Sequence, residues 1–147
     1  MIAIVTEADL PELLPLMRAY CDFYEVAPSD EYLLEMSRAL IADPDREGVQ
    51  LIARDSAGAA AGFATVFWTW STLRAARIAI MNDLFVAPTA RRAGVGKALI
   101  DACLERTRAH GADMLSWQTA KQNTGAQALY ERVGAVREEW IDYSLPT

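Results

Sequence analysis

The stretch from Asp83 to Ile100 limits most strongly what this chain can fold into. It begins with an apolar run typical of a strand, turns at Pro88, and passes through a glycine-containing loop into a predicted helix over residues 94–110. The first N–H groups of a helix have no intrahelical partner and lie at the positive end of the helix dipole. The stretch therefore predicts a strand–loop–helix unit with an anion site at the junction.

The residue types and spacing of the loop indicate which class of anion it is expected to bind. The predicted anion-binding positions are Arg91, Arg92, Ala93, Gly94, Val95, Gly96 and Lys97. Arginines supply positive charge, and glycines let a diphosphate approach the backbone closely. The spacing is not that of a P-loop, because Ala98 follows Gly96-Lys97, and Leu99 stands where a dinucleotide loop has its third glycine. We interpret the loop as a site for a pyrophosphate-bearing cofactor; an ordinary strand-to-helix turn is the alternative.

The composition is that of an ordinary globular protein. The 147 residues are 52% hydrophobic and 23% charged, which is typical of one domain over residues 1–147. No apolar run has the length of a membrane span, and the N-terminus does not resemble a signal peptide, so we expect a cytoplasmic protein without a membrane partner. Cys21 and Cys103 are too few and too far apart to suggest a disulfide framework or a metal site.

Charge is distributed unevenly along the chain. The net charge is −6, and the first 50 residues hold eleven acidic residues against three basic ones. Without a basic stripe, the chain is not expected to bind nucleic acid. The acidic half would attract cations; a pair of solvated helical faces is the alternative reading.

Hydrophobic periodicity predicts an element order of β-α-α-β-β-β-α-β-α-β. Strands are predicted over residues 2–6, 49–54, 60–70, 77–86, 114–118 and 139–145, and helices over about 10–25, 29–42, 94–110 and 124–133. Tight turns join the three central strands, which implies antiparallel pairing, whereas the strand–helix–strand unit after residue 77 implies a parallel pair. The expected fold is a mixed α/β (α+β) domain with helices on both faces of a mostly antiparallel sheet.

Two motifs in this order resemble the GCN5-related N-acetyltransferase (GNAT) family. They are Asn82-Asp-Leu-Phe-Val-x-Pro-x-x-Arg-Arg-x-Gly-Val-Gly96 and Asn123-x-x-Ala-x-x-Leu-Tyr-Glu-x-x-Gly134. The resemblance covers most of the chain and implies a sheet of six to seven strands. Gly62–Trp70 and Tyr20-x-x-x-Tyr24-Glu25 are similar to the diamine and polyamine acetyltransferases within that family. Those enzymes commonly have Glu-Asp where this chain has Asn82-Asp83.

The resemblance implies acetyl-CoA as the cofactor and assigns candidate residues around it. In addition to the loop, the implied cofactor-binding residues are Leu84, Phe85, Val86, Asn123 and Tyr130. Tyr130 would be the catalytic general acid, since a tyrosine with an ordinary pKa of about 10 can protonate a thiolate whose thiol has a pKa of about 8.5. Asn123 could alternatively cap its helix.

The acceptor site is predicted from aromatic and polar side chains. The nominated residues are Tyr24, Glu25, Trp68, Trp70, Asn82 and Asp83. Aromatic faces and carboxylates suit a cationic amine, although an aromatic stripe is also typical of a hydrophobic core. For Asp83, the roles of catalytic base, substrate anchor and structural cap all remain open.

The leading functional hypothesis is transfer of an acetyl group from acetyl-CoA to a small polyamine-like or other amino-group substrate. Amines on proteins or antibiotics are alternative acceptors, and a non-catalytic acyl-CoA sensor is the alternative from another class. The apolar segment around Trp140 and Tyr143 predicts a homodimer, because relatives in the family often dimerise there.

Overall fold

A computed structural model describes residues 1–147. The strands are β1 (Ile2–Ile4), β2 (Gly48–Arg54), β3 (Ala60–Ser71), β4 (Ala76–Val86) and β5 (Leu115–Ser116); the helices are α1 (Leu10–Phe23), α2 (Asp30–Ala42), α3 (Val95–Ala109) and α4 (Thr124–Arg132). One sheet contains all five strands in the order β1-β2-β3-β4-β5. The first four pair antiparallel and β5 runs parallel to β4, so the predicted mixed α/β class is confirmed.

Polar side chains fix the ends of the early elements. The backbone N–H of Thr6 donates to the Asp9 carboxylate at 2.8 Å, which forms a capping box in a short 3-10 turn before α1. The Ser29 hydroxyl accepts the Tyr32 N–H at 3.3 Å and begins α2. The Asp55 carboxylate accepts two N–H groups in the turn between β2 and β3. These contacts fix where α1 and α2 begin and where the chain turns between β2 and β3.

Alternation along β3 separates two hydrophobic cores. Phe63 packs with α1 on one face of the sheet, whereas Ala64 and Val66 pack on the other face with Leu99 and Cys103 of α3. All five are almost completely buried. The sheet is therefore covered on both faces, as the pattern of residues 60–70 predicted.

A β-bulge at Asn82 changes which face of the sheet the odd-numbered side chains of β4 point to. Val66 pairs with Met81 but its neighbour Thr65 pairs with Asp83, so Asn82 is the extra residue. Before the bulge, Met81 faces the α3 core; after it, Phe85 faces the α1 core. The residues that follow the bulge are those implied to bind acetyl-CoA.

The predicted sixth strand over residues 139–145 is not formed. Trp140, Ile141, Tyr143 and Leu145 are at least 75% exposed, and no strand pairs with this segment. Its side chains alternate as in a strand, but an extended segment is stable only when a neighbouring strand accepts its backbone hydrogen bonds. β5 is also shorter than predicted, and pairs through only Leu115 and Ser116.

The four helices are all too short or too polar to cross a lipid bilayer.

Candidate active site

The separation of β4 from β5 opens the main cavity of the protein. The two strands pair only at Ala79 with Leu115 and at Ile80 with Ser116. Beyond this point the edge of β4 has no strand partner, and a cavity of about 720 Å³ lies between its end, α1, α3 and α4. A cavity of this volume matches the size of sites for small molecules and cofactors.

The loop between β4 and α3 lines one end of this cavity with free backbone donors. No hydrogen bond within the chain uses the N–H groups of residues 92–97. Arg92 has φ +65° and Gly94, the residue before α3, has φ +81°, so two left-handed residues turn the loop around these groups. The Arg91 guanidinium holds the loop to the strand by donating to the Val86 carbonyl at 3.2 Å. The loop thus offers the free backbone donors that the predicted anion site requires.

Gly96 has a packing role as well as a position in the loop. A Cβ at this residue would lie 2.9 Å from Cδ2 of Leu129 and 3.7 Å from Cγ2 of Val86. The missing side chain therefore lets α4 approach the first turn of α3. The sequence predicts that Gly96 admits a phosphate, whereas the nearest atom that a side chain here would meet belongs to Leu129 of α4.

Four cations belong to the cavity wall: Arg91, Arg92, Lys97 and Arg132. The Lys97 ammonium lies 2.6 Å from the Asp101 carboxylate one helical turn later, and both side chains are more than half exposed. An exposed pair of this kind stabilises the helix weakly, so Lys97 can exchange it for another anion at little cost. Positive charge and free N–H groups therefore occur together at this end of the cavity.

α4 places Tyr130 on the same cavity. The Asn123 side chain accepts the Ala126 N–H at 3.4 Å and caps the helix, so it takes the capping role while also lining the cavity. The Tyr130 ring packs edge-to-face on Trp117, with ring centres 5.3 Å apart. Burial raises the pKa of Tyr130, nearby Tyr24 adds to this, and a hydrogen bond with Thr119 acts in the opposite direction. Tyr130 is therefore held in its protonated form.

Aromatic residues at the C-terminal end of α1 line another part of the cavity. The Tyr24 ring packs edge-to-face on both Tyr20 and Phe23, with ring centres 5.1 Å apart in each pair, and Tyr20 also packs against Phe85. Burial raises the pKa of Tyr20, and the neighbouring Asp83 carboxylate raises it further. Asp83 is 9% exposed and accepts a hydrogen bond of 3.1 Å from the Asn82 side chain. The Asp83 carboxylate thus lies behind Asn82 and Tyr20, which both line the cavity.

Most of the predicted site residues lie on this one cavity. The predicted cofactor residues that line it are Leu84, Phe85, Val86, Arg91, Arg92, Gly94, Val95, Gly96, Lys97, Asn123 and Tyr130, and the predicted acceptor residues that line it are Tyr24 and Asn82. Ala93, Glu25 and Asp83 are next to lining residues without lining the cavity themselves. The two motifs far apart in sequence are therefore adjacent in space.

Trp68 and Trp70 are placed elsewhere, which corrects their nomination for the acceptor site. The Trp68 indole N–H donates to the Pro44 carbonyl at 2.8 Å, and its ring stacks on His110 at 4.0 Å in the α3 core. Trp70 pairs with Arg77, whose guanidinium carbon lies 4.9 Å from the ring centre. Asn82 is five positions after Arg77 in β4, which is about 16 Å along a strand. Trp68 therefore belongs to the core, and Trp70 lies near the turn between β3 and β4.

Several cavity residues were not predicted from the sequence. They include Tyr20, Phe23, Trp117, Gln118, Thr119, Leu129 and Arg132. Val133 lies three positions after Tyr130 and four after Leu129, so an i, i+3, i+4 pattern could have indicated part of this set. Nothing local marks Phe23 or Trp117, because their position depends on where β5 departs from β4.

Comparison with known proteins matches this arrangement to one family. A profile of the Acetyltransferase (GNAT) family matches residues 13–135, which include the loop, β5 and α4. The chain belongs to the GNAT family. As a family member it is an acyltransferase.

Relatives and solved structures agree with this assignment. The chain is 35% identical over 127 residues to the uncharacterized N-acetyltransferase YhfO of Bacillus subtilis, covering 86% of this chain and 83% of YhfO. It is 42% identical over 99 residues to a mycothiol acetyltransferase of Salinispora tropica, covering 65% of this chain but only 31% of that protein. A crystal structure of a probable acetyltransferase superposes with a TM-score of 0.86 at 26% identity, over 100% of this chain and 97% of the other.

Proposed function

We propose that this protein transfers the acetyl group of acetyl-CoA to a primary amine, with Tyr130 as the general acid. The observation that supports this most directly is the shared cavity: the loop of free N–H groups and the protonated Tyr130 face the same 720 Å³ space at the separation of β4 and β5. A sensor of acyl-CoA needs the loop but not the tyrosine. This difference favours the enzyme.

The residues of the loop fit the CoA pyrophosphate. Free N–H groups of residues 92–97 would bind its oxygens, and Arg91, Arg92 and Lys97 would balance its charge. When bound, acetyl-CoA supplies a thioester whose acetyl carbon accepts the amine nitrogen. The unpaired edge of β4 after Met81 offers backbone N–H groups close to where negative charge would develop on the acetyl oxygen.

Tyr130 and water would handle the protons, while Asp83 would position the amine. As the C–N bond forms and the C–S bond breaks, the Tyr130 hydroxyl gives its proton to the departing sulfur, and the nitrogen loses its second proton through water to the Tyr130 phenolate, which restores the acid. The amine must lose a proton before it attacks, since an alkyl ammonium has a pKa near 10.4. Asp83 lies behind Tyr20 and Asn82, so we assign it a positioning role: its negative charge attracts the ammonium, and the proton leaves to water.

The reaction is tested by measuring CoA release from acetyl-CoA with a panel of polyamines, monoamines, lysine-containing peptides and aminoglycosides. At least one amine should be acetylated, with the N-acetyl product identified by mass spectrometry. Binding of acetyl-CoA without release in the presence of any amine would favour the sensor.

The variant Tyr130→Phe tests the acid. Removing the hydroxyl should lower kcat by about 10²-fold or more, while the KM for acetyl-CoA stays within a few-fold, because general acids typically contribute 10² to 10⁴ in rate. Thr119→Val is a matched control that removes a hydroxyl hydrogen-bonded to Tyr130 but keeps the proposed acid. A kcat for Tyr130→Phe equal to that of the wild type would eliminate the assignment.

We also propose that the protein forms a homodimer through residues 139–145. The apolar residues of this segment are at least 75% exposed, and Gln118, just after β5, donates to Asp142 at 2.6 Å. An exposed segment with strand-like alternation, next to a sheet edge, is suited to pair with a second copy.

A further inference from the structure

The cavity wall contains cations but no carboxylate. Of its 26 residues, Arg91, Arg92, Lys97 and Arg132 are positively charged, and none is Asp or Glu. The positive residues lie on the loop and at the end of α4, where the CoA phosphates would be held. A substrate with several ammonium groups would therefore meet positive charge on one side without matching negative charge on the other.

The end of the cavity formed by α1 is aromatic. Phe23 and Tyr24 are 56% and 43% exposed, and Tyr20 closes the wall beneath them against Phe85. Such a wall binds an apolar body by removing its surface from water. Cation–π contact at an exposed site attracts an ammonium only weakly, so the wall favours an apolar group over a second ammonium.

Asp83 is the one buried carboxylate of the chain, and it lies beside the cavity wall. Asp83 is 9% exposed and reaches the space only through Asn82 and Tyr20. One carboxylate can balance one ammonium. Asp22 and Glu25, on either side of Phe23 and Tyr24 in the sequence, are exposed and do not line the cavity.

We infer that the acceptor is a primary monoamine with an apolar, preferably aromatic, body, and not a polyamine or aminoglycoside. This inference rests on the proposed function and narrows it. Asp83 attracts the one ammonium group, while Tyr20, Phe23 and Tyr24 cover the body of the molecule. The polyamine-like likeness of the sequence depended in part on Trp68 and Trp70, which lie away from the cavity.

The test compares 2-phenylethylamine with 1,4-diaminobutane at one pH. We expect kcat/KM for 2-phenylethylamine to be at least tenfold higher. In parallel, calorimetry on the CoA-saturated protein should show at least tenfold tighter binding of 2-phenylethylamine than of the diamine. Equal or better use or binding of 1,4-diaminobutane would overturn the inference, as would binding of neither amine. Tighter binding of the monoamine without any turnover would support the inference while rejecting the proposed function.

A charge introduced at Phe23 tests the cause of this preference. Phe23 is the last residue of α1 and is more than half exposed, so substitution there should leave the fold intact. Phe23→Glu should lower the monoamine-to-diamine ratio of kcat/KM or of affinity at least tenfold relative to Phe23→Gln. The two variants match in shape and differ only in charge. The same ratio in both would show that charge does not determine specificity and would overturn the inference.

Discussion

At the scale of single residues, backbone conformation at the loop matters as much as charge. Arg92 and Gly94 both have positive φ, and no atom would obstruct a Cβ at Gly94. The demand for glycine at position 94 is therefore conformational, whereas at Gly96 it comes from contact with Leu129. The two glycines look equivalent in the sequence motif, but in the structure glycine is favoured at the two positions for different physical reasons.

Gly94→Ala should destabilise the protein by about 1 kcal/mol, because an L-residue with a Cβ is strained in the left-handed region. Acetyl-CoA binding should weaken with it, since the loop presents its N–H groups only in this conformation. Gly94→Asn, which tolerates the region better, should keep most of both properties. Urea unfolding and calorimetry with CoA measure the two effects. Equal behaviour of the Ala and wild-type proteins would contradict this explanation.

The residues that could be predicted from the sequence are those whose role depends on local geometry. A loop at a helix N-terminus offers its own backbone donors, so Arg91 to Lys97 could be nominated from the sequence alone, and all of them except Ala93 line the cavity. Tyr130 required the family resemblance as well. Phe23 and Trp117 face the cavity only because distant elements meet there, and no spacing in the sequence encodes that meeting.

At the scale of elements, the aromatic residues of β3 illustrate the same limit. Trp68 shares a face of the sheet with Val66, as strand alternation requires. Alternation could not show that this face packs on the C-terminal end of α3, where His110 stacks on the indole. The choice between a core and an acceptor site depended on tertiary contacts, and the core was correct.

Trp68→Phe should lower the free energy of unfolding by about 1–2 kcal/mol, because the Pro44 carbonyl loses its donor and the stacked ring becomes smaller. KM for the amine should not change, since Trp68 is outside the cavity. Urea denaturation and steady-state kinetics check the two parts. His110→Ala serves as a control that removes the stacking partner but keeps the hydrogen bond. A large increase in amine KM would return Trp68 to the acceptor site.

At the scale of the whole molecule, the C-terminal segment is the part that the fold does not use. Residues 139–145 contain four large apolar side chains that are at least 75% exposed. Their alternation led to the prediction of a sixth strand, and a second chain could supply the partner that this chain lacks. Fold class and strand order could thus be predicted, but the pairing of the last segment could not.

Truncation after Ala135 should convert a dimer to a monomer, as measured by light scattering. The unfolding of the remaining chain should depend little on the truncation at concentrations where both forms are monomeric, because the segment makes few contacts with the sheet. Trp140→Lys should have the same effect on assembly with one substitution. A full-length protein that is monomeric at high micromolar concentration would contradict the proposed dimer.

The bulge at Asn82 has one more consequence, for insertions and deletions. The bulge adds one residue at Asn82, so the alternation of side chains along β4 shifts by one position after it. Asp83 and Phe85 face one layer, and Leu84 and Val86 face the other. Deleting Asn82 would leave Met81 opposite Val66 and Asp83 opposite Thr65, which is regular antiparallel pairing, so both layers would keep their side chains and only the bulge would be lost. The bulge therefore lets β4 contain one residue more than β3 requires without exchanging its two faces.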